Sequence, residues 1–247
     1  MTAEEKKAFS GFLDLAEDFV SDGYRSERPE RSFSDDSLTL PAEGLSAASA
    51  PVEDSLQAIA GEVRACAACP LASTRKCAVP GEGVARPLVL VIGEGPGADE
   101  DASGRPFVGP AGQLLDRMLQ SIGLSRETNC FIANLVKCRP PKNRDPEESE
   151  RSACAPFLDR QISLLSPRLI LSVGRVPTQA LLGTTEGIGR LRGRFIPYRG
   201  IPLLPTYHPS ALLRDENLKR PAWEDLKLLR SRLEALDGDY ARSMAGR

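Results

Sequence analysis

A glycine-rich segment, Gly93 to Gly97 (GEGPG), directly follows an apolar run, Leu88 to Ile92. Glycine lets a backbone turn tightly and approach a ligand closely. The N–H groups of such a turn can bind an anion or a developing oxyanion. The segment matches neither the Walker phosphate loop nor GxGxxG, which argues against a nucleotide-binding protein. Taken alone, it fits a structural turn as well as a binding loop.

His208 is the only histidine in the chain. An imidazole can donate, accept or exchange a proton near neutral pH, although many single histidines are simply packed or exposed. His208 comes just after a predicted strand and is followed by Pro209, and this position favours a site. The single histidine excludes metal centres that need two or three histidines.

Six cysteines occur in a chain without a recognisable export signal, which argues against a disulfide framework. Cys66 and Cys69 form a CxxC pair, whereas Cys138 and Cys154 lie far downstream. Four thiolates could hold zinc or a [4Fe–4S] cluster. The alternative is that only the CxxC pair is a site and the other cysteines are buried small side chains. Spacing alone leaves both interpretations open, and Cys77 could compete as a ligand.

Charge is distributed unevenly along the chain. Residues 1–54 contain 13 acidic and 5 basic side chains, whereas residues 55–247 contain 21 acidic and 27 basic ones. A basic body suits a polyanion such as DNA, because neutralised phosphates release counterions. An ordinary solvated surface explains the same excess, and charge by itself favours that explanation. No apolar run is long enough to span a membrane, so we expect a cytoplasmic protein.

Alternating strands and helices must position these residues. Apolar runs predict four strands, and amphipathic stretches predict helices between and after them. Such alternation predicts an α/β domain over residues 55–240, a three-layer α/β/α fold with a central, mostly parallel four-stranded sheet. Sites in these folds form at the carboxyl ends of strands. The predicted strands are Leu88–Ile92, Cys130–Val136, Leu169–Val173 and Ile201–Thr206, and the predicted helices lie within Gly109–Gly123, Asp145–Leu165, Val176–Leu182 and Trp223–Leu236.

Two details of the long middle helix are predicted as well. Asp145 is expected to cap its start, with Pro146 in the first turn. Pro156 is expected to kink or restart it.

Residues 1–54 form an N-terminal extension of a different kind. Thr2 to Asp22 has the pattern of an amphipathic helix, whose apolar face is expected to dock on the main domain or on a protein partner. Residues 23–54 are rich in Ser, Ala, Pro and acidic residues, which predicts a disordered linker.

The motifs together resemble the family 4 uracil-DNA glycosylases. The resemblance covers about residues 57–236 and rests on several motifs in order. These are Cys66-x-x-Cys69, Val79-Pro-Gly-Glu-Gly83, Gly93-Glu-Gly-Pro-Gly-x-x-Glu-Asp101, Gly104-Arg-Pro-Phe-Val-Gly109, Asn134-Leu-Val-Lys-Cys-Arg-Pro-Pro141, Cys154 and His208-Pro-Ser-x-Leu-Leu-Arg214.

The resemblance implies a monomeric repair enzyme that hydrolyses the glycosidic bond of uracil in DNA and leaves an abasic site. It implies a [4Fe–4S] cluster held by Cys66, Cys69, Cys138 and Cys154. The family's site residues map onto catalytic His208, Asn134, Glu94 and Glu100, base contacts from Gly93, Glu94, Gly95, Phe107, Asn134 and His208, and DNA contacts from Leu213 and Arg214. Which carboxylate positions water stays open.

Two other functions fit parts of the sequence. A non-catalytic DNA-binding module with a structural metal site would bind DNA without releasing a base. A nucleotide-binding α/β protein would use the glycine-rich segment, although it lacks the lysine and the Ser/Thr that phosphate loops require.

Overall fold

The computed structural model describes residues 54–241, and within them a six-stranded mixed sheet forms the centre of the fold. The strand order is β1-β3-β2-β4-β6-β5. The four inner strands β3, β2, β4 and β6 are parallel, and both edge strands are antiparallel to their neighbours. The strands are β1 (Glu82–Gly83), β2 (Val89–Gly93), β3 (Cys130–Asn134), β4 (Leu169–Val173), β5 (Ile196–Tyr198) and β6 (Ile201–Thr206).

Eight α-helices surround this sheet in the described range: α1 (Leu56–Ala65), α2 (Ala98–Ser103), α3 (Pro110–Gln120), α4 (Glu148–Leu165), α5 (Arg175–Leu182), α6 (Ile188–Leu191), α7 (Pro209–Arg214) and α8 (Lys219–Leu236).

Alternate residues of β2 show why the fold has three layers. Val89 and Val91 face one apolar cluster, which includes residues of α3 and α8. Leu90 and Ile92 face a second cluster, which includes residues of α4. Every residue of β2, β3 and β4 is buried, as expected for parallel strands covered on both faces. The predicted α/β/α architecture is confirmed.

The predicted sheet of four strands is wrong in number. The four predicted strands form the parallel centre, and two short edge strands join them. β1 has two residues and β5 has three, so neither is long enough to show a period-two pattern.

Two details of α4 also differ from prediction. The helix begins at Glu148, with Glu147 as its cap, whereas Asp145 pairs with Arg175. The helix continues through Pro156 without a break. The carbonyl four residues before that proline lies on an exposed turn, where water can replace the missing N–H donor.

The predicted N-terminal helix and nearly all of the predicted linker lie outside the described residues, so both stay predictions, as does the domain boundary near residue 55. No helix between residues 54 and 241 is both long and apolar enough to cross a membrane.

Candidate active site

A cavity of about 630 Å³ opens at the carboxyl edge of the parallel strands. Gly93 and Asn134 are paired across β2 and β3, so the two strands end at the same level. Loops that follow these strands, together with the start of α7, form the walls. The predicted site residues Glu94, Gly95, Glu100, Phe107, Asn134, His208 and Arg214 all line this cavity.

Asn134 ends β3 with its side chain in an unusual state. The residue is only 1% exposed, and its Oδ1 atom has no hydrogen-bond partner among the described residues. A buried acceptor without a donor costs about 1–3 kcal/mol. A ligand that enters the cavity and donates to this oxygen would remove that cost.

Gly93 makes room for Asn134 and Phe107. A Cβ atom at Gly93 would lie 2.4 Å from Asn134 Oδ1 and 2.5 Å from Phe107 Cζ. Any side chain at this position would therefore displace both groups. The first glycine of the GEGPG segment is therefore required for the close packing of these two side chains.

Phe107 forms an apolar wall of the cavity, and its backbone is held by hydrogen bonds from Arg126. Its backbone has a φ of 53°, a conformation that non-glycine residues adopt at a cost. Arg126 holds it by donating to the carbonyls of Pro106 (2.8 Å) and Phe107 (3.0 Å). Arg126 is buried and also pairs with Asp116 at 2.8 Å. These bonds fix the orientation of the aromatic ring before any ligand enters.

Glu100 links the glycine-rich segment to the segment that carries Phe107. Its Oε2 accepts the Gly97 N–H at 2.9 Å, and its Oε1 accepts the N–H groups of Val108 (2.8 Å) and Gly109 (3.0 Å). Both carboxylate oxygens are therefore engaged by the backbone. This bonding suits a residue that positions the site.

His208 caps α7 and faces Phe107, with ring centroids 5.8 Å apart and planes tilted by 32°. Its Nδ1 accepts the Ser210 N–H at 3.1 Å. Burial, and then the positive charge of Arg214, lower the pKa of His208 to about 4 against the opposing effect of Glu100. The imidazole is thus neutral near pH 7, and because Nδ1 accepts, the proton is on Nε2. A neutral N–H donor can stabilise an oxyanion.

Glu94 lies in the cavity wall with an altered acidity. Burial, and then the negative charge of Asp145, raise the pKa of Glu94 to about 7. Arg175 opposes this effect but is itself paired with Asp145 at 2.5 Å. Near neutral pH the Glu94 side chain therefore exists in both protonation states.

Sequence patterns did not identify the outer part of the cavity wall, which includes Asn143 and Asp145. Lys142 and Asn143 have φ values of 56° and 54°, so the chain turns sharply here. Arg139 Nε donates to Asn143 Oδ1 at 2.8 Å and holds the turn. The one available signal was the asparagine in Pro140-Pro-Lys-Asn143, because asparagine tolerates the left-handed conformation.

The proposed DNA-contacting residues lie on α7 beside the cavity. Leu213 is 48% exposed, which is unusual for a large apolar side chain. Arg214 lines the cavity at the end of the same helix.

Four cysteines surround a second, small cavity away from the first. Its walls include Cys66, Cys69, Cys138 and Cys154. Cys130 is instead buried inside β3, and Cys77 is exposed near the carbonyl of Ala102. The structure thus separates the four cysteines of the predicted set from the other two.

Donors directed at the sulfurs suit thiolate ligands. Arg75 Nη1 lies 3.0 Å from Cys138 Sγ, the Lys137 N–H lies 3.3 Å from Cys154 Sγ, and the Ala68 N–H lies 3.5 Å from Cys66 Sγ. In residues 54–241, however, no three or more His, Cys, Asp or Glu side chains are close enough to hold one metal ion. A cluster with four iron corners bonds each sulfur to a different iron, so it fits a wider arrangement than a single ion does.

Comparison with known proteins places the chain in a family. The family model of the uracil DNA glycosylase superfamily matches residues 80–227. The type-4 uracil-DNA glycosylase of Saccharolobus solfataricus is 46% identical, over 74% of this chain and 88% of that protein. The type-4 enzyme of Thermotoga maritima is 40% identical (72% and 95%), and the type-5 enzyme of Pyrobaculum aerophilum is 32% identical (54% and 66%). This chain therefore belongs to the type-4 uracil-DNA glycosylases of the uracil DNA glycosylase superfamily.

Proposed function

We propose that this protein hydrolyses the N-glycosidic bond of uracil in DNA, releases free uracil and leaves an abasic site for base excision repair. The observation that carries the proposal is the Oδ1 atom of Asn134, a buried acceptor without a donor, on a residue that lines the cavity together with Phe107 and His208. Uracil is a flat ring whose N3–H is a donor and whose carbonyl oxygens are acceptors. The chemistry of the cavity is complementary to that edge.

Base recognition requires the nucleotide to leave the helix, because the glycosidic bond is not accessible in a stacked duplex. Phe107 would stack on the extruded ring. Asn134 would accept from N3–H and donate to the adjacent carbonyl, since an amide offers both groups. Cytosine has no N–H at position 3 and would leave the Asn134 oxygen unpaired, so the amide also supplies specificity.

Bond cleavage leaves negative charge on the departing uracil and positive charge on the sugar. His208 is neutral, and its Nε2–H would donate to the uracil oxygen on which the negative charge develops. The Ser210 N–H fixes the ring in this tautomer. The donor is thus oriented before reaction and needs no proton uptake.

Glu94 is our candidate for stabilising the sugar cation or orienting the attacking water. Its carboxylate form would carry this role, and burial keeps that form only partly populated at neutral pH. Glu100 would instead position Phe107 and the glycine-rich segment, because both of its oxygens accept backbone N–H groups.

DNA binding would use the basic excess of residues 55–247 and the surface of α7. Exposed Leu213 would enter the space that the extruded nucleotide vacates, and Arg214 would contact the strand beside the cavity. We further propose that the protein acts as a monomer in the cytoplasm.

We propose that Cys66, Cys69, Cys138 and Cys154 hold a [4Fe–4S] cluster. The cluster would link the segment after α1 to the segment after β3 and to α4, which stabilises the loops behind Asn134. Its role here is structural, and every step on uracil uses protein side chains. Aerobically purified protein should be brown and contain iron and sulfide. Cys154→Ser should lose them, whereas Cys77→Ser should keep them, and a colourless, active zinc protein would contradict the proposal.

The decisive experiment is incubation with an oligonucleotide that contains one uracil, followed by alkali to nick abasic sites. The wild type should release free uracil and yield one nicked product. His208→Ala and Asn134→Ala should each reduce the rate by about 100-fold or more. Gly61→Ala, on the exposed face of α1 with open space around it, is the control. Salt-dependent DNA binding without base release would instead identify a non-catalytic DNA-binding module.

A further inference from the structure

Lys137 is a fully buried lysine between the uracil cavity and the cysteine site. It is 1% exposed, and its ammonium donates to the Asn134 carbonyl at 2.9 Å and to Gln161 Oε1 at 2.7 Å. Among residues 54–241, no carboxylate forms an ion pair with it. A buried charge is costly unless hydrogen bonds or a counter-charge compensate for it, so an apolar side chain would be cheaper for stability alone.

The contacts of Lys137 reach three separate segments, and one of them, α4, carries both Gln161 and Cys154. Gln161 of α4, which accepts from the ammonium, extends the hydrogen-bond network, because its Nε2 donates to the Pro80 carbonyl at 2.7 Å. The Lys137 carbonyl accepts the Val79 N–H at 2.7 Å, and the Lys137 N–H is directed at Cys154 Sγ. One residue thus connects the end of β3, the chain before β1, and α4 with its Cys154.

We infer that Lys137 is a positioning residue for uracil recognition, which holds the backbone of Asn134 in place and connects it to the cysteine-bearing segments. The inference rests on the proposed function. Asn134 is the last residue of β3, and beyond it the chain leaves the sheet. The ammonium fixes the carbonyl of that last residue, and therefore the direction in which the side-chain amide enters the cavity. A small displacement of such a group is enough to weaken binding and slow the reaction.

Hydrogen bonds offset part of the cost of burying the ammonium. The ammonium donates to two neutral acceptors, the Asn134 carbonyl and Gln161 Oε1, while the Cys154 sulfur accepts the backbone N–H of Lys137. This arrangement explains why a lysine can remain in the interior. It also predicts that Lys137 is replaceable for folding but not for recognition.

The test compares three full-length variants with the wild type. Lys137→Met removes the ammonium and keeps the side-chain length. Gln161→Met removes one acceptor of the ammonium, and Ile162→Val is the matched control, because it trims a buried neighbour on α4 outside the network. For each protein we would measure the affinity for free uracil by calorimetry, kcat and KM on a uracil-containing single strand, and iron content with visible absorption.

Lys137→Met is expected to bind free uracil about 10-fold more weakly and to lose about 10-fold in kcat, with KM nearly unchanged and iron retained. Gln161→Met should show the same pattern at about threefold. Ile162→Val should match the wild type in uracil affinity and kcat. A folded Lys137→Met protein with wild-type uracil affinity and kcat would overturn the inference. If Lys137→Met does not fold or loses its iron, the Gln161→Met variant becomes the test. Uracil affinity and kcat equal to those of Ile162→Val would then overturn the inference. Absence of uracil release by the wild type would contradict the proposed function instead.

Discussion

Two of the cavities formed by residues 54–241 have nearly equal volumes, and their comparison shows what identifies a site. One, of about 630 Å³, lies at the carboxyl edge of the parallel strands. The other, of about 660 Å³, lies near the opposite ends of β2 and β4 and is lined by Leu88, Leu165 and Leu233 among others. We call this cavity the second groove. Volume therefore does not distinguish them.

An unpaired acceptor and side chains with shifted pKa values distinguish the two cavities. The first contains an acceptor without a donor, a carboxyl whose pKa is raised to about 7 and an imidazole whose pKa is lowered to about 4. Ionisable groups with shifted pKa values concentrate at functional sites, and the unpaired acceptor is costly until a donor reaches it. The second groove is lined by leucines and by the charged residues Arg86, Arg168 and Asp237, all three of which are exposed.

The largest expected loss of activity comes from adding a methyl group at Gly93, next to Asn134 and Phe107. In Gly93→Ala the new methyl group would lie 2.4 Å from Asn134 Oδ1 and 2.5 Å from the Phe107 ring. Both side chains must move, so uracil release should fall by about 100-fold or more. The rate is measured on the single-uracil oligonucleotide. Gly95→Ala is a less suitable test of the site, because the added methyl group would contact the side chain of Val136 and not Asn134 or Phe107.

The control for this change is Gly61→Ala, where nothing lies within 4 Å of the added methyl. Alanine in a helix interior is favoured over glycine, so thermal stability should rise by about 0.5–1 kcal/mol while activity stays the same. Equal activity of Gly93→Ala and Gly61→Ala would show that the Gly93 contacts are unimportant.

A smaller effect is expected from Glu94, and it depends on pH. If the carboxylate form is active, kcat/KM should rise with pH through a midpoint near 7, which reflects the pKa of Glu94. His208 is already neutral over this range and should not contribute. Glu94→Gln should abolish the midpoint and lower activity by about 10-fold at pH 8. A midpoint that persists in Glu94→Gln would assign the ionisation to another group.

Stability gives an independent check on Glu94. Its pKa in the folded state is above the ordinary value of 4.5, so the folded state favours the protonated form. The resulting stabilisation is complete below about pH 4.5 and is lost as the pH rises through about 7. Glu94→Gln resembles the protonated acid, so its melting temperature should exceed that of the wild type at pH 8 and approach it near pH 5. The reverse order would contradict burial as the cause.

An effect restricted to duplex substrates is expected outside the cavity, at Leu213. Leu213→Ala removes exposed apolar surface from α7, so the fold should be unaffected. If the side chain replaces an extruded base, excision from a duplex should slow by about 10-fold, whereas excision from a single strand should change little. The comparison of the two substrates is the measurement. Equal losses on both would indicate a general contact instead.

The parts of the fold that were predictable have strong local signals. The four parallel strands are short apolar runs buried on both faces, and each was predicted to within two residues. Residues directly after these strands, such as Glu94 and His208, could be placed at the carboxyl edge from the same pattern. The resemblance supplied Phe107, and the structure brings its ring to the edge near Gly93 and His208.

The parts that were missed depend on tertiary structure. Asn143 reaches the cavity wall only because two consecutive residues adopt a left-handed conformation. Asp145 has the sequence of a helix cap but pairs with Arg175, thirty positions away in the chain. Lysine is usually exposed, whereas Lys137 is buried and bonded to Gln161 from a distant segment. No local pattern encodes these contacts.

The smallest effect is expected in the second groove. Leu164 lines it and is 38% exposed, so Leu164→Ser should lower stability by less than about 1 kcal/mol. It lies at the far end of the sheet from Asn134, so kcat and KM for uracil excision should stay within twofold of the wild type. Chemical denaturation and the oligonucleotide assay measure the two quantities on the same preparation. A clear loss of kcat without a loss of stability would show that the groove takes part in the reaction. The unpaired acceptor and the shifted pKa values of the first cavity would then no longer distinguish a functional cavity from a non-functional one.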